Sequence, residues 1–71
     1  MTYDKSNIVG VEFTVKGERP PINYKIISVK DNKATIEWTE PLGDCRSTFS
    51  VKRTVLKYLN NGTWIVKNSK A

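Results

Sequence analysis

Strict alternation of hydrophobic residues with other residues marks the first predicted strand. In VGVEFTV, residues 9–15, every second residue is a valine or a phenylalanine, and glycine, glutamate and threonine stand between them. A period of two is typical of a strand with one buried face. The next segment, KGERPPIN at 16–23, contains two adjacent prolines, which cannot donate backbone hydrogen bonds. We therefore predict a strand over 9–15 followed by a loop.

A β-hairpin is predicted over YKIISVKDNKATIEWTE, residues 24–40, with Asp31-Asn32 at its tip. Both residue types tolerate the left-handed backbone conformation that two-residue hairpin turns need. Such a turn places Lys30 opposite Lys33, and residues that oppose each other share a face of the sheet. When the same register is continued, the predicted core face consists of Ile27, Val29, Ala34 and Ile36.

The same register leaves Tyr24 and Ile26 on the face that should meet water. A sheet that bends over both faces would cover these two side chains, and so would a binding partner. A longer turn would shift the register and could exchange the two faces. The faces of the predicted hairpin therefore depend on the length of its turn.

An amphipathic helix is predicted within SVKRTVLKYLNNGTW, residues 50–64. At about 100° per residue, its apolar side chains fall within one arc, and Arg53 and Lys57 fall on the opposite side. Ser50 suits the N-cap, and Asn61-Gly62 suits the left-handed position that ends many helices. The alternative is a strand that turns at Asn61-Gly62, but it separates apolar from polar residues less well. We predict a helix of about two to three turns.

A turn at EPLGDC, a short strand at RSTFSV and a closing strand at TWIVK complete the pattern. The predicted fold class is mainly β with one short helix, a β-rich α+β domain. Its predicted architecture is a small SH3-like or Tudor-like partly closed barrel. The alternative is an open antiparallel sheet with a helix packed on one face. No repeat or linker divides the chain, so we expect residues 1–71 to form one domain with flexible ends at 1–7 and 68–71.

Charge is distributed unevenly along the chain. Up to residue 44 there are six basic and seven acidic residues, whereas from residue 45 there are six basic residues and no acidic one. Small soluble proteins usually mix both signs over their surface. A purely cationic final third therefore predicts a polyanionic partner, although a solvated lysine tail is the plainer interpretation.

Nucleic-acid binding needs cations that neutralise phosphates and, for single strands, aromatic side chains on which bases stack. Two of the available cations break a local rule, because Lys52 and Arg53 stand in the first turn of the predicted helix, where acidic residues are favoured. Such an exception points to a binding role. The predicted contact residues are Arg46, Lys52, Arg53, Lys57 and Lys67, with Lys25 and Lys30 as candidate neighbours and Tyr24 and Trp38 as the stacking residues. For the two aromatic residues, burial in the core is the competing interpretation.

Enzymatic chemistry has little support in the composition. The chain has no histidine, the commonest general base and metal ligand, and Cys45 is its only cysteine. A single cysteine cannot build a zinc site, and no glycine-rich loop is present to cradle a phosphate. Glu37, Glu40 and Asp44 could hold a divalent cation weakly, but a solvated acidic loop is the simpler interpretation. We predict no catalytic residue, no metal site, no cofactor and no small-molecule substrate.

A pattern of hydrophobic and glycine positions runs through the second half of the chain. It consists of Ile36, Trp38, Phe49, Val51, Val55, Tyr58, Leu59, Gly62 and Trp64. This pattern resembles small uncharacterised proteins encoded by bacteriophages. The resemblance implies a viral setting and a host-directed or accessory role, and it carries no catalytic residue with it.

Two kinds of partner follow from these observations. The basic C-terminal face would hold a nucleic acid, DNA or RNA. Alternatively, it would dock on an acidic surface of a host protein, with Tyr24, Ile26 and Ile22 as apolar anchors. No apolar run approaches the roughly 20 residues of a membrane span, and the first residues do not form a signal peptide. We therefore expect a non-enzymatic binding module in the cytoplasm, the host cytoplasm if the setting is viral, with no membrane partner.

Overall fold

Residues 3–67 fold into five strands and one helical segment. The computed structural model describes residues 3–67. Its strands are β1 (Glu12–Val15), β2 (Tyr24–Lys30), β3 (Lys33–Glu40), β4 (Gly43–Ser50) and β5 (Trp64–Val66), and its helical segment is a π-helical turn (Val51–Val55) that continues into α1 (Leu56–Asn60). The flexible end predicted at 68–71 lies outside the described residues, as do the first two residues of the one predicted at 1–7.

The strands form a single antiparallel sheet in the order β4-β3-β2-β1-β5. Consecutive strands pair from β1 to β4, and β5 returns to lie beside β1. Within residues 3–67 the two edge strands, β4 and β5, do not pair with each other. The predicted fold class, mainly β with one short helix, is confirmed. Its architecture is the alternative one, an open antiparallel sheet with a helical segment packed on one face, and not the partly closed barrel that was predicted first.

One face of the sheet, called the inner face, carries the hydrophobic core. The helical segment covers this face with Val51, Val55 and Leu59, as its predicted apolar arc requires. The remaining buried residues of the core are Ile8, Val11, Phe13, Ile26, Ala34, Ile36 and Trp64. On the opposite, outer face the side chains alternate with these and are polar or charged along most of each strand. The outer face of the sheet is therefore exposed to solvent, as one face of an antiparallel sheet commonly is.

The register of the β2–β3 hairpin changes at a β-bulge. Next to the turn, Lys30 pairs with Lys33 as predicted, but beyond Ser28 the register shifts and Ile26 pairs with Ile36. The predicted pairing of Ile27 with Ile36 is therefore wrong. A bulge inserts one extra residue into a strand, so the side chains beyond it exchange faces. Ile26 is fully buried and Ile27 is only half-buried.

The same bulge corrects the expected position of Tyr24. Tyr24 pairs with Trp38, and Tyr24 also pairs with Phe13 of β1, so all three side chains belong to the inner face. The prediction that Tyr24 and Ile26 face water is therefore wrong. No bent sheet or covering partner is needed to explain them.

The first strand is shorter than predicted because the chain turns before it. Gly10 has a φ of +91°, and its N–H donates to the carbonyl of Ile26 at 2.7 Å. This turn leaves Val9 57% exposed and places Ile8 in the core instead. The strand predicted over residues 9–15 therefore extends too far toward the N-terminus. Val9 does not belong to the buried face, and β1 starts at Glu12.

The helix predicted from the amphipathic pattern is confirmed. The Ser50 hydroxyl accepts a hydrogen bond from the N–H of Arg53 at 3.2 Å, as an N-cap does. At the other end the Asn61 N–H donates to the carbonyl of Lys57, and Gly62 follows with a φ of +85°. Only glycine adopts that conformation at little cost, so Asn61-Gly62 ends a helix and is not the tip of a hairpin.

Candidate functional site

The start of the helical segment is tied to the turn between β2 and β3. The N–H of Val51 donates to the carbonyl of Asn32 at 2.8 Å, and the N–H of Lys52 donates to Asn32 Oδ1 at 3.4 Å. Asp31, the other residue of the turn, has a left-handed φ of +57°. These contacts bring residues that are about twenty positions apart in sequence to the same end of the sheet.

Four exposed basic side chains meet at this end, which we call the cationic end (Lys30, Lys33, Lys52 and Arg53). Lys30 and Lys33 oppose each other directly across the hairpin. Like charges in that position destabilise a sheet by a few tenths of a kcal/mol, roughly the size of other cross-strand pair terms. Within residues 3–67 none of the four forms an ion pair. Their charges are therefore left for solvent or for an anionic ligand.

Hydroxyl groups lie beside the two lysines of the hairpin. A shallow hollow of about 470 Å³ on the outer face is lined by Lys30 and Lys33 together with Thr35, Thr48 and Ser50. Asp31 and Asn32 complete the lining. Because the Ser50 oxygen accepts from a backbone N–H, its own hydrogen remains able to donate. Ammonium and hydroxyl donors are the groups that proteins use to hold phosphate oxygens.

Two of the predicted contact residues lie elsewhere on the outer face and are partly neutralised. Arg46 Nη2 lies 2.7 Å from Glu37 Oε2, in an ion pair whose arginine side chain is 64% exposed. Lys25 pairs across the sheet with both Glu37 and Glu12. Lys25 and Arg46 therefore flank a carboxylate and do not belong to the cationic end.

The other two predicted cations have separate positions. Lys57 is exposed on α1, four residues after Arg53 and so on the same side of the helical segment. Its ammonium lies 5.8 Å from the ring centroid of Tyr58. Lys67 follows β5, and its ammonium donates to Asn23 Oδ1 at 2.9 Å. Lys57 extends the cationic end along the helix, whereas Lys67 lies apart from it.

The two predicted stacking residues lie at the opposite end of β2 and β3. Tyr24 is stacked on Phe13 with the ring centroids 5.3 Å apart, and Trp38 is tilted against Tyr24 at the same distance. Both side chains are half-buried. The Tyr24 hydroxyl donates to Glu18 Oε2 at 2.9 Å, and Trp38 Nε1 donates to Glu40 Oε2 at 3.1 Å. The fold therefore does not bring these rings together with Lys52 and Arg53.

The phenol of Tyr24 should lose its proton at an unusually high pH. Burial, followed by the hydrogen bond and the charge of Glu18, raises the pKa of Tyr24 from 10.0 to about 12. A raised pKa means that the neutral phenol contributes stability below pH 10, and that this contribution is lost as the pH rises through about 12. We expect the ultraviolet absorbance of ionised tyrosine to show one late step near pH 12 that disappears in Tyr24→Phe. If the late step persists in that variant, the assignment to Tyr24 is wrong.

The carboxylates near the β3–β4 turn have different partners. Glu37 binds Arg46, while Asp44 Oδ1 accepts from the Thr39 hydroxyl at 3.0 Å. Glu40 accepts from the Cys45 thiol at 2.9 Å, which raises the pKa of the thiol and lowers the pKa of the Glu40 carboxyl. Among the described residues, no group of three potential ligands is arranged to hold a metal ion.

Sequence reasoning missed Lys33 and the three hydroxyl residues as members of a candidate site. The signal for Lys33 was present, because the two-residue turn already placed it opposite Lys30. The sequence pattern does not show that the start of the helical segment bonds to Asn32. This contact brings Lys52 and Arg53 to the same end of the sheet.

No family model, curated protein or solved structure matches the chain. The resemblance to bacteriophage proteins therefore stays a prediction. Within residues 3–67, no helix is long and apolar enough to cross a membrane.

Proposed function

We propose that this protein is a non-enzymatic binding module that contacts the phosphates of nucleic acid through its cationic end. The observation that carries the proposal is the pair of hydrogen bonds to Asn32, which hold Lys52 and Arg53 beside Lys30 and Lys33. Four cations without ion-pair partners in the described part of the chain outnumber the carboxylates at the same end, Asp4 and Asp31, so the site has a net positive charge. Such a site attracts polyanions and releases their counterions on binding.

Recognition of phosphates is favoured over recognition of bases. The aromatic side chains that could stack on bases, Tyr24 and Trp38, lie at the opposite end of the hairpin and are half-buried. The groups beside Lys30 and Lys33 are hydroxyls, which bind phosphate or sugar oxygens. The proposed binding therefore follows the backbone and depends little on base sequence.

An acidic protein surface is the other candidate partner, and the fold removes much of its support. Protein interfaces obtain most of their binding energy from a few well-packed anchors, often aromatic. Ile26, one of the expected anchors, is fully buried in the core, and the Tyr24 ring packs against Phe13. Ile22, the third expected anchor, is half-buried before β2, at the end of the hairpin away from the cationic end. The cationic end would then bind a protein mainly by charge, so nucleic acid is the partner that we propose.

Salt dependence tests the proposal directly. We expect labelled duplex DNA, followed by fluorescence anisotropy, to bind with a log–log slope against salt of about −3 to −4 between roughly 50 and 200 mM, because four cations each replace about 0.9 counterion. Duplexes of unrelated sequence should give the same affinity. An absence of binding at the lower salt concentration, or an affinity that does not change with salt, would contradict the proposal.

A further inference from the structure

Within residues 3–67, strand β4 has an unpaired edge whose protection is limited to two opposite charges, Asp44 and Arg46. It is eight residues long, and it pairs continuously with β3 from Gly43 to Ser50 without a bulge. Edge strands are commonly protected by shortness, lysine, proline or a bulge. The opposite edge, β5, has only three residues. Strand β4 contains neither lysine nor proline, so its free edge is open to pairing with another strand.

The hairpin geometry determines which backbone groups are free. In a two-residue hairpin, the residues that flank the turn, here Glu40 and Gly43, form a hydrogen-bonded pair, and such pairs alternate along the strands. The N–H and C=O groups of Asp44, Arg46 and Thr48 therefore point away from β3. They are available to an antiparallel strand on the other side.

The sequence of β4 is complementary to itself in one register. If two copies pair with Cys45 opposite Cys45, Asp44 of each copy stands opposite Arg46 of the other, and opposite charges in that position attract. Pairing centred on Arg46 would oppose two arginines. Pairing centred on Ser47 would oppose Arg46 to Thr48 and form no charge pair.

An exposed apolar side chain gains cover in the same register. Leu42, in the turn between β3 and β4, is fully exposed. With Cys45 at the centre, Leu42 comes opposite Thr48 of the second copy, whose methyl group is on the same face of the sheet. Removing an exposed leucine from water favours association.

We propose that two copies of this protein associate through antiparallel pairing of β4, in the register centred on Cys45. The association joins the two five-stranded sheets into one continuous sheet. Both outer faces then lie on the same side, because the two-fold axis of an antiparallel strand pair is perpendicular to the sheet. This inference does not depend on the proposed binding of nucleic acid.

Charge swapping tests both the association and its register. We expect sedimentation equilibrium under reducing conditions to show a dimer whose dissociation constant rises at least about tenfold in Asp44→Arg and in Arg46→Asp, since each variant opposes like charges. The double variant Asp44→Arg/Arg46→Asp should restore the dimer. An equimolar mixture of the two single variants should also restore it, as a heterodimer. Both positions are exposed, so unchanged circular dichroism of each variant provides the control for folding.

The thiol of Cys45 reports the register independently. Oxidation of the dimer by diamide, which accepts two electrons and two protons from the two thiols, should link Cys45 to Cys45. A protein that stays monomeric at all concentrations overturns the proposal. The proposal is also overturned if the dissociation constant of the dimer is unchanged in the single charge reversals, or if diamide does not crosslink the dimer.

Discussion

Replacing Phe13 with alanine is expected to remove most of the stability of the fold. The Phe13 side chain is 1% exposed and is stacked between Trp64, at a centroid distance of 4.3 Å, and Tyr24, at 5.3 Å. Removing a buried phenylalanine ring costs about 3–5 kcal/mol. A domain of this size has a free energy of unfolding of about 5 kcal/mol. Phe13→Ala should therefore leave a large fraction of the molecules unfolded at room temperature.

Urea unfolding followed by tryptophan fluorescence and circular dichroism measures this effect. The matched control is Phe49→Ala, because Phe49 is half-buried on the edge strand β4 and meets Trp64 only edge-on at 6.4 Å. We expect the control to lose about 1–2 kcal/mol, in proportion to the smaller area that it buries. If both variants lose the same free energy, Phe13 is not the centre of the core.

Reversing two charges of the cationic end is expected to abolish the proposed binding of nucleic acid. The variant Lys33→Glu/Lys52→Glu removes one cation from the hairpin and one from the helical segment, and it places two carboxylates where phosphates would lie. Two lost phosphate contacts and the added repulsion should weaken binding by about 100-fold or more at roughly 50 mM salt. The slope of affinity against salt should fall as well. Anisotropy titration of the same labelled duplex measures both quantities.

A second double reversal separates the site from the net charge. Lys16→Glu/Arg19→Glu produces the same total charge, but both residues are exposed at the end of the sheet that lies away from the β2–β3 turn. We expect this control to keep most of the affinity. If the two double variants bind equally poorly, affinity follows net charge alone and the cationic end is not the site. Equal melting temperatures would show that neither variant acts through unfolding.

Local patterns in the sequence were sufficient to predict the turns and the helix. Asp31 and Gly62 adopt left-handed backbone conformations, and apolar segments flank both turns. The positions of these turns therefore follow from residues that are close together in the sequence. The arc of apolar residues before Asn61 distinguishes a helix from a hairpin arm for the same reason. These elements depend little on the rest of the molecule.

The bulge in β2 could not be predicted in this way. Ile26 and Ile27 are both apolar, so either one satisfies the alternation, and the tip of the hairpin has the same register in both cases. The choice is made by a distant element, because the backbone of Ile26 bonds to Gly10 and Val11 ahead of β1. Tertiary contacts of this kind override a local period.

The candidate site likewise depends partly on the local sequence and partly on contacts between distant residues. The exposure of Arg53 follows from the helical period, which places it opposite the apolar arc, whereas Lys52 lies at the edge of that arc. Their position beside Lys30 and Lys33 depends on the contact of the helical segment with Asn32. The position of Tyr24 depends on the bulge, which turns its ring toward Phe13 and places it opposite Trp38.

The separation of charge along the hairpin has a consequence for the rate of encounter. Glu18 and Glu40 lie beside Tyr24 and Trp38, at one end of β2 and β3, and the cationic end lies at the other. Lys16 and Arg19 lie at the same end as these carboxylates and offset their charge, so the excess positive charge of the described residues is centred on the cationic end. The field of a polyanion would turn the molecule during diffusion, so that the turn between β2 and β3 leads the approach. Electrostatic steering of this kind accelerates association at low ionic strength and fades as salt shortens the range of the field.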